Sequence, residues 1–432
     1  MSAPALSLAA VRRRYVGLTA LRWLPVGIST PVVVLLASSR GLTAADVGLV
    51  FAVHSVVALL LELPTGGLAD AIGYRPVLVL SVVLHAAGLL TMVAAHSVLG
   101  FAAAYALIGA GRALDSGPLE SWFVDAAHSV DAHADLTPGL SRASAADGAG
   151  LALGAVVGGL APTLAAGVGG AALAVPILLA TAVDVVYLLA VLALVVPLGS
   201  APGVSTGAAL RGGFREVPRV LTGTGAMVRG DVVLRRLLLI GVLTGVVLST
   251  LELLGPLRFA HLAGDPTRGT AVFGVVTAVS FGAAALGAAV AGPARRALRG
   301  STGGTTATLG VLAAVAVAAS ALSPAVLPAA VAYSLFYLAA AAAIPLRQQL
   351  LHSRVPAERR STTVSVVSFA MMIGGVAGSL LVPRLAEATS TTVGFLAAAG
   401  ALVGLALISL RLPTPVTATP AAGGAQRSNA VG

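Results

Sequence analysis

Residues 45–95 read ADVGLVFAVHSVVALLLELPT (45–65), GGLADAIGYRP (66–76) and VLVLSVVLHAAGLLTMVAA (77–95). The first and third pieces each approach the roughly 20 mostly apolar residues that an α-helix needs to cross the hydrocarbon core of a bilayer. Their apolar runs are continuous and do not alternate, which favours helices over a membrane barrel. Between them lies a short polar loop with an acid, Asp70, a base, Arg75, and glycines at 66, 67 and 73. The unit predicted here is a helical hairpin threaded through lipid.

Ten further segments have the same character, at 16–37, 98–119, 143–162, 174–196, 234–255, 271–292, 305–322, 325–346, 362–383 and 391–410. They make twelve spans and an all-α membrane protein. Composition agrees. Of 432 residues, 57% are hydrophobic and 10% charged, and mean hydropathy is +0.98. A soluble domain carries about a quarter charged residues. The excess apolar surface is explained if helix faces also meet lipid. Cysteine is absent, which excludes disulfides and thiolate metal sites. Lysine is absent too, so every basic side chain is an arginine.

A net charge of +10 would suit nucleic acid, but the arginines sit where membrane topology wants them. With the N-terminus in the cytoplasm, twenty of the 26 fall in cytoplasmic segments. Four, Arg40, Arg258, Arg268 and Arg384, fall on the opposite side, and Arg22 and Arg112 lie inside spans. Positive charge retained on the inner side thus predicts an even number of spans, both termini cytoplasmic and insertion in the cytoplasmic (inner) membrane. Arg12, Arg13 and Arg14 follow a weak apolar stretch and read as an anchor, not as the start of a signal peptide.

The longest polar interruption, residues 197–233, divides the spans six and six. The expected organisation is a first half at 1–196, a linker at 197–233, a second half at 234–412 and a disordered cytoplasmic tail at 413–432. In the linker Leu210, Phe214, Val217 and Leu221 form an apolar stripe and Arg211, Arg215 and Arg219 recur every four residues. That pattern predicts a helix on anionic headgroups, bent or interrupted at Pro218. Six plus six spans around a cytoplasmic linker is the layout of transporters that rock two halves about a midplane site.

Four motifs carry a closer resemblance. Gly66-Gly67-Leu68-Ala69-Asp70-Ala71-Ile72-Gly73-Tyr74-Arg75 resembles the loop signature of the major facilitator superfamily, Gly-x-x-x-Asp-(basic)-x-Gly-(basic)-(basic). Ala71 and Tyr74 stand where that signature is usually basic. The resemblance implies a conformational latch of Gly66, Asp70, Gly73 and Arg75. In it Asp70 would accept N–H bonds at the start of span 11, near Ser361 and Thr362, and Arg75 would meet Asp125. Ala291-Gly292-Pro293-Ala294-Arg295-Arg296 reads as a degraded second copy lacking the acid.

In span 4, Arg112-Ala113-Leu114-Asp115-Ser116-Gly117 resembles the superfamily's fourth-span signature. Residues three apart share a helix face, so Arg112 and Asp115 are expected to pair. They are either a structural ion pair or a proton-coupling group. Span 5 holds Gly150, Gly154, Gly158 and Gly159 in a pattern that resembles the signature of proton-driven exporters, with Ala155 in place of its Pro. Spacing by four aligns the first three for close helix packing, expected against the opposite half. Pro356-Ala357-Glu358-Arg359-Arg360 before span 11 resembles a stretch common in superfamily exporters.

Ionisable groups inside spans are costly and mark function or internal pairing. Asp184, near the centre of span 6, is either a proton carrier or a hydrogen-bonded structural acid. His54 in span 2 titrates or packs. Arg22 in span 1 snorkels to the cytoplasmic interface or faces a central cavity. Glu252 lies toward the outer end of span 7 and is read as reaching the interface. Trp23, Tyr333, Phe336 and Tyr337 line a cavity or pack between helices.

No nucleotide-binding loop, metal-spaced cluster or nucleophile elbow appears, so neither an enzyme nor a cofactor is expected. The resemblance implies a secondary transporter, a proton-coupled antiporter of the drug-efflux kind that exports a small amphiphilic compound. Its expected partners are that solute, protons and membrane lipids, not nucleic acid, and it is expected to act as a monomer. The rivals are a sugar or amino-acid importer, and a membrane scaffold or sensor that moves nothing.

Overall fold

The computed structural model describes residues 7–65, 68–197, 229–298, 301–354 and 360–413. The linker stripe, the tail from 414, Gly66 and the loop 355–359 lie outside the described residues. So do the side chains of Asp70, Ser361 and Thr362, and with them the contact expected between that acid and span 11.

Among the described residues there are helices and no strands, and twelve helices are long and apolar enough to cross a membrane. They are span 1 (Leu8–Ser39), span 2 (Ala44–Glu62), span 3 (Tyr74–Ala94), span 4 (Val98–Val130), span 5 (Thr137–Leu164), span 6 (Ala171–Leu194), span 7 (Val232–Ala263), span 8 (Pro266–Ala289), span 9 (Thr302–Leu322), span 10 (Val326–Arg354), span 11 (Val366–Ala388) and span 12 (Thr391–Ser409). All twelve predicted segments recur. Several run longer, because polar residues near the ends still belong to the helix.

Two spans are broken where the sequence forces a break. Span 1 is helical over Leu8–Ser29 and again over Val33–Ser39. Pro31 falls between them and has no N–H to donate, so the ladder is interrupted there. Span 4 is helical over Val98–Leu114, turns, and resumes over Pro118–Val130. The turn rests on Gly117, whose φ of +112° is left-handed backbone that a side chain resists. Pro118 then opens the second piece, where a missing N–H costs nothing. The predicted end at residue 119 therefore misses both the break and a further stretch of helix.

The helix pairings repeat. Span 1 packs on span 5 and span 6, as span 7 packs on span 11 and span 12. Span 4 packs on spans 2 and 3, as span 10 packs on spans 8 and 9, and span 3 meets span 6 as span 9 meets span 12. The broadest contacts between the halves are span 5 with span 8 and span 2 with span 11, and span 7 also touches spans 1 and 2.

The glycine stripe of span 5 packs within its own half, which corrects the expectation. A Cβ at Gly150, Gly154 or Gly158 would strike the Ala20, Leu24 or Ile28 carbonyl of span 1 in turn. Residues 150, 154 and 158 face span 1 because one face of a helix meets one neighbour. Gly159 is rotated by about 100° from Gly158, and it is this glycine that meets the other half. A Cβ there would lie 2.6 Å from the Thr270 carbonyl and 2.9 Å from Gly274 Cα of span 8.

The halves touch toward the face remote from the termini. Thr270 Oγ1 donates to the Gly159 carbonyl (3.2 Å), and the Ala45 N–H donates to Glu387 (2.8 Å). Gly48 of span 2 lies against the Ser379 carbonyl and Pro383 of span 11.

Candidate functional site

Between the halves lies a cavity of about 580 Å³. Spans 1, 2, 3, 4, 6, 7 and 11 line it, and most of its exposed surface is apolar, from side chains such as Val26, Phe51, Leu89, Ile108, Met371 and Met372. Into this wall the chain sets two guanidiniums, Arg22 and Arg112, and four carboxylates, Glu62, Asp115, Asp184 and Glu252.

Arg22 Nε donates to Asp115 Oδ2, and this ion pair ties span 1 to span 4. Both side chains are largely buried. The expected Arg112–Asp115 pair is therefore not made. The helix ends at Leu114, so Asp115 becomes its C-terminal cap, leaves the face of Arg112 and turns to span 1. Arg112 lies instead over the Trp23 ring, 5.5 Å from its centroid, and Arg22 lies 5.3 Å from the same ring. A ring negative on its faces attracts both cations. Of the two readings of Arg22, the one that faces the cavity matches its position.

Asp184 is 3% exposed, and its Oδ2 lies 2.7 Å from His85 Nδ1 of span 3. A carboxylate this deep needs a partner, and His85 supplies it. His85 lies mid-span and was not among the residues singled out above. The usable signal was its rank as an ionisable group in lipid, the same signal that singled out His54. His54 is set edge-on to Tyr105 at 5.8 Å, and Tyr105 stacks on Phe51 at 5.1 Å.

The latch residues part company. Gly73 has φ +87° at the start of span 3, as the turn requires. Arg75 does not meet Asp125. It donates to the Leu192 carbonyl of span 6, while the Tyr74 hydroxyl donates to Asp125. Tyr74 stands where the signature is usually basic, and it takes over the acid that an arginine was expected to hold. Glu252 also departs from expectation: it lines the cavity and does not lie at the interface. Tyr333 and Phe336 are buried at 2% exposure in a cluster of rings with Phe259, Phe273 and Tyr337. They pack the second half, so of the four aromatics singled out only Trp23 lines the cavity.

The family model of the Major Facilitator Superfamily matches residues 16–340. The chain belongs to that superfamily. Solved structures of similar fold include the nucleoside transporter NupG, at TM-score 0.73 and 12% identity, covering 93% of this chain and 98% of that one. They include a bacterial homologue of the human lysosomal transporter Spinster, inward-facing and unoccupied, at TM-score 0.67 and 16% identity with 96% of each chain covered. A peptide transporter, POT, in complex with sulfate, aligns at TM-score 0.65 and 15% identity over 93% of each. At such identities the likeness is one of fold. No curated protein matches at the sequence level. For a Major Facilitator Superfamily member the place of the cavity has a mechanical meaning: two halves that touch near one face and enclose a cavity are one limb of an alternating-access cycle.

Proposed function

We propose that the chain is a proton-coupled exporter of a small amphiphilic compound, seated in the cytoplasmic membrane with both termini inside. The observation that carries this reading is the His85–Asp184 pair, buried in the wall of a largely apolar cavity. An acid and a base within one hydrogen bond can hold a proton or release it as the cavity's exposure alternates. Most of the exposed wall area is apolar, which suits a solute with hydrophobic bulk, and the charged and hydroxyl side chains set into it suit the polar end of an amphiphile. NupG transports nucleosides and POT peptides by their names, but identities of 12–15% carry no substrate to this chain.

In the proposed cycle the solute enters the cavity from the cytoplasm, the halves rock about the Gly159–Gly274 contact, and protonation at His85–Asp184 accompanies release outside. Arg22–Asp115 and the latch loop hold the first half together during that motion. Asp70, Gly66, Gly73, Arg75 and Asp125 are proposed to govern the rate of rocking, and Arg112 and His54 to tune the cavity's charge.

Reconstitution in vesicles tests the reading. With the proton gradient as sole drive, solute should be driven against its own gradient while protons move the other way. Co-movement of the two would make the chain an importer. Absence of flux for every compound bound would leave a scaffold.

A further inference from the structure

Tyr187 of span 6 is 3% exposed, yet its hydroxyl has no hydrogen-bond partner among the described residues. A buried phenol normally finds one. The same holds for Asp115 Oδ1, because Arg22 takes only the other oxygen, Oδ2. Both residues line the cavity. An unused donor and an unused acceptor therefore stand in the wall of one site, and neither atom helps to hold the fold.

Tyr187 sits between the two charge pairs of the first half. Asp184 lies three residues earlier in span 6, on the same helix face. Span 6 packs on span 1, which carries Arg22, and on span 3, which carries His85. The Tyr187 ring belongs to a buried cluster with Leu18 and Val82, which lie one turn from Arg22 and His85 on their own helices. The charges that bear on its hydroxyl are Asp115, Arg22 and Asp184, and His85 bears in turn on Asp115. Asp147 of span 5 acts on Arg22 and Asp115 but not on the phenol.

We propose that Tyr187 links the two pairs, carrying a proton between His85–Asp184 and the free oxygen of Asp115. This rests on the proton-coupled reading given above. The phenol O–H bond breaks as an O–H bond forms on Asp115 Oδ1. The phenol oxygen takes up the proton that leaves the protonated His85–Asp184 pair, and the hydroxyl ends neutral, as it began. Asp115 loses its charge but keeps Oδ2 for Arg22, so the tie between spans 1 and 4 weakens without parting. Neither link is within hydrogen-bond distance in this arrangement. Bonds that carry a proton are often long at rest and tighten only as the reacting state forms. Proton loading thereby sets the stiffness of the first half.

The test uses Trp23, whose ring lies beside both Arg22 and Arg112, as a reporter of charge at Asp115. Tryptophan emission from the purified full-length chain in detergent is followed after a rapid drop in pH. The component that Trp23→Phe abolishes is assigned to Trp23, and in the wild type it should change with pH. Tyr187→Phe removes only the hydroxyl and should slow that change at least about tenfold, the loss of a proton-transfer partner being worth that or more. Its Tm should not fall, because the deleted hydroxyl had no partner to lose. A wild-type rate in Tyr187→Phe, with or without a lower Tm, would overturn the proposal, and so would a wild-type Trp23 component that ignores pH. If Tyr187→Phe does not elute as a single folded species, Asp184→Asn carries the test, and an unslowed Trp23 component in that variant has the same consequence. A slowed Trp23 response in a chain whose wild type shows no proton-driven export would sink the exporter reading and spare the link. Proton-driven export together with a wild-type Trp23 rate in Tyr187→Phe would do the reverse.

Discussion

His85 Nδ1 of span 3 and Asp184 Oδ2 of span 6 lie 2.7 Å apart. Asp184 is almost wholly enclosed and His85 is reachable from the cavity. The proton carrier proposed above is thus a shared site, with the acid holding the base in place. Replacing Asp184 by Asn keeps the volume and a hydrogen-bonding group but removes the charge. Proton-driven flux should fall by at least about 100-fold, the usual scale for losing a positioned acid or base. Solute exchange at equal pH on both sides should persist, since it requires no net proton release. His85→Gln should fall between Asp184→Asn and the wild type. Wild-type flux in Asp184→Asn, measured at equal protein in the vesicles, would remove this pair from the mechanism.

Arg22 and Asp115 form the second bond of charge between spans of the first half, with side chains 18% and 14% exposed. Asp115→Asn leaves a guanidinium in apolar surroundings. For a fully buried pair that costs about 3–5 kcal/mol. The partial opening to the cavity reduces it here to about 1–3 kcal/mol. The expected outcome is an apparent Tm lower by several degrees, followed by the elution profile after heating. Arg22→Met combined with Asp115→Leu should recover part of the loss, because neither charge then lacks a partner. Equal Tm for wild type and Asp115→Asn would make the pair energetically idle.

The absence of cysteine from the whole chain gives a direct check of orientation. Ala132, exposed between spans 4 and 5, and Ala388, exposed at the end of span 11, lie on opposite faces of the fold. With both termini inside, Ala388→Cys should react with an impermeant maleimide in intact cells, and Ala132→Cys only after permeabilisation. The opposite pattern would invert the protein in the membrane and turn the proposed exporter round with it.

What the sequence made legible followed from a strong solvent constraint. Every lipid-facing helix must be apolar along its length, so twelve apolar runs gave twelve spans. Partners of buried charges were not legible, because they depend on which faces of different spans meet. Arg112 and Asp115 share a helical register in sequence, yet Gly117 and Pro118 end the helix at the residue that mattered. Glu252 looked peripheral by position. The length of span 7, running on to Ala263, places it at cavity depth instead. His85 had the same standing as His54 until span 6 brought Asp184 against it. The glycine stripe was legible as a packing face, but its partner was not, since spacing fixes a face and not the neighbour.

Three glycines of span 5 separate packing from motion. A Cβ at Gly148 meets nothing within 4 Å, so Gly148→Ala should be neutral or stabilise by up to about 1 kcal/mol through helix propensity. A Cβ at Gly158 runs into the Ile28 carbonyl of span 1, and backbone cannot step aside as a side chain can. Gly158→Ala should therefore cost at least about 1–3 kcal/mol, the range for an overfilled core. Gly159→Ala is the informative one. Its Cβ would press on Thr270 and Gly274 of span 8, so it acts between the halves and not within one. It should leave the first half intact but disfavour the arrangement in which the halves touch at the face remote from the termini. Crosslinking of Ala45→Cys to Glu387→Cys across that face, where the Ala45 N–H now donates to Glu387, should then become less efficient than in the parent double variant. Gly158→Ala should lower thermal stability without that selective loss. Equal crosslinking with and without Gly159→Ala would mean that the halves do not bear on each other at this glycine, and the rocking contact would have to be sought between spans 2 and 11.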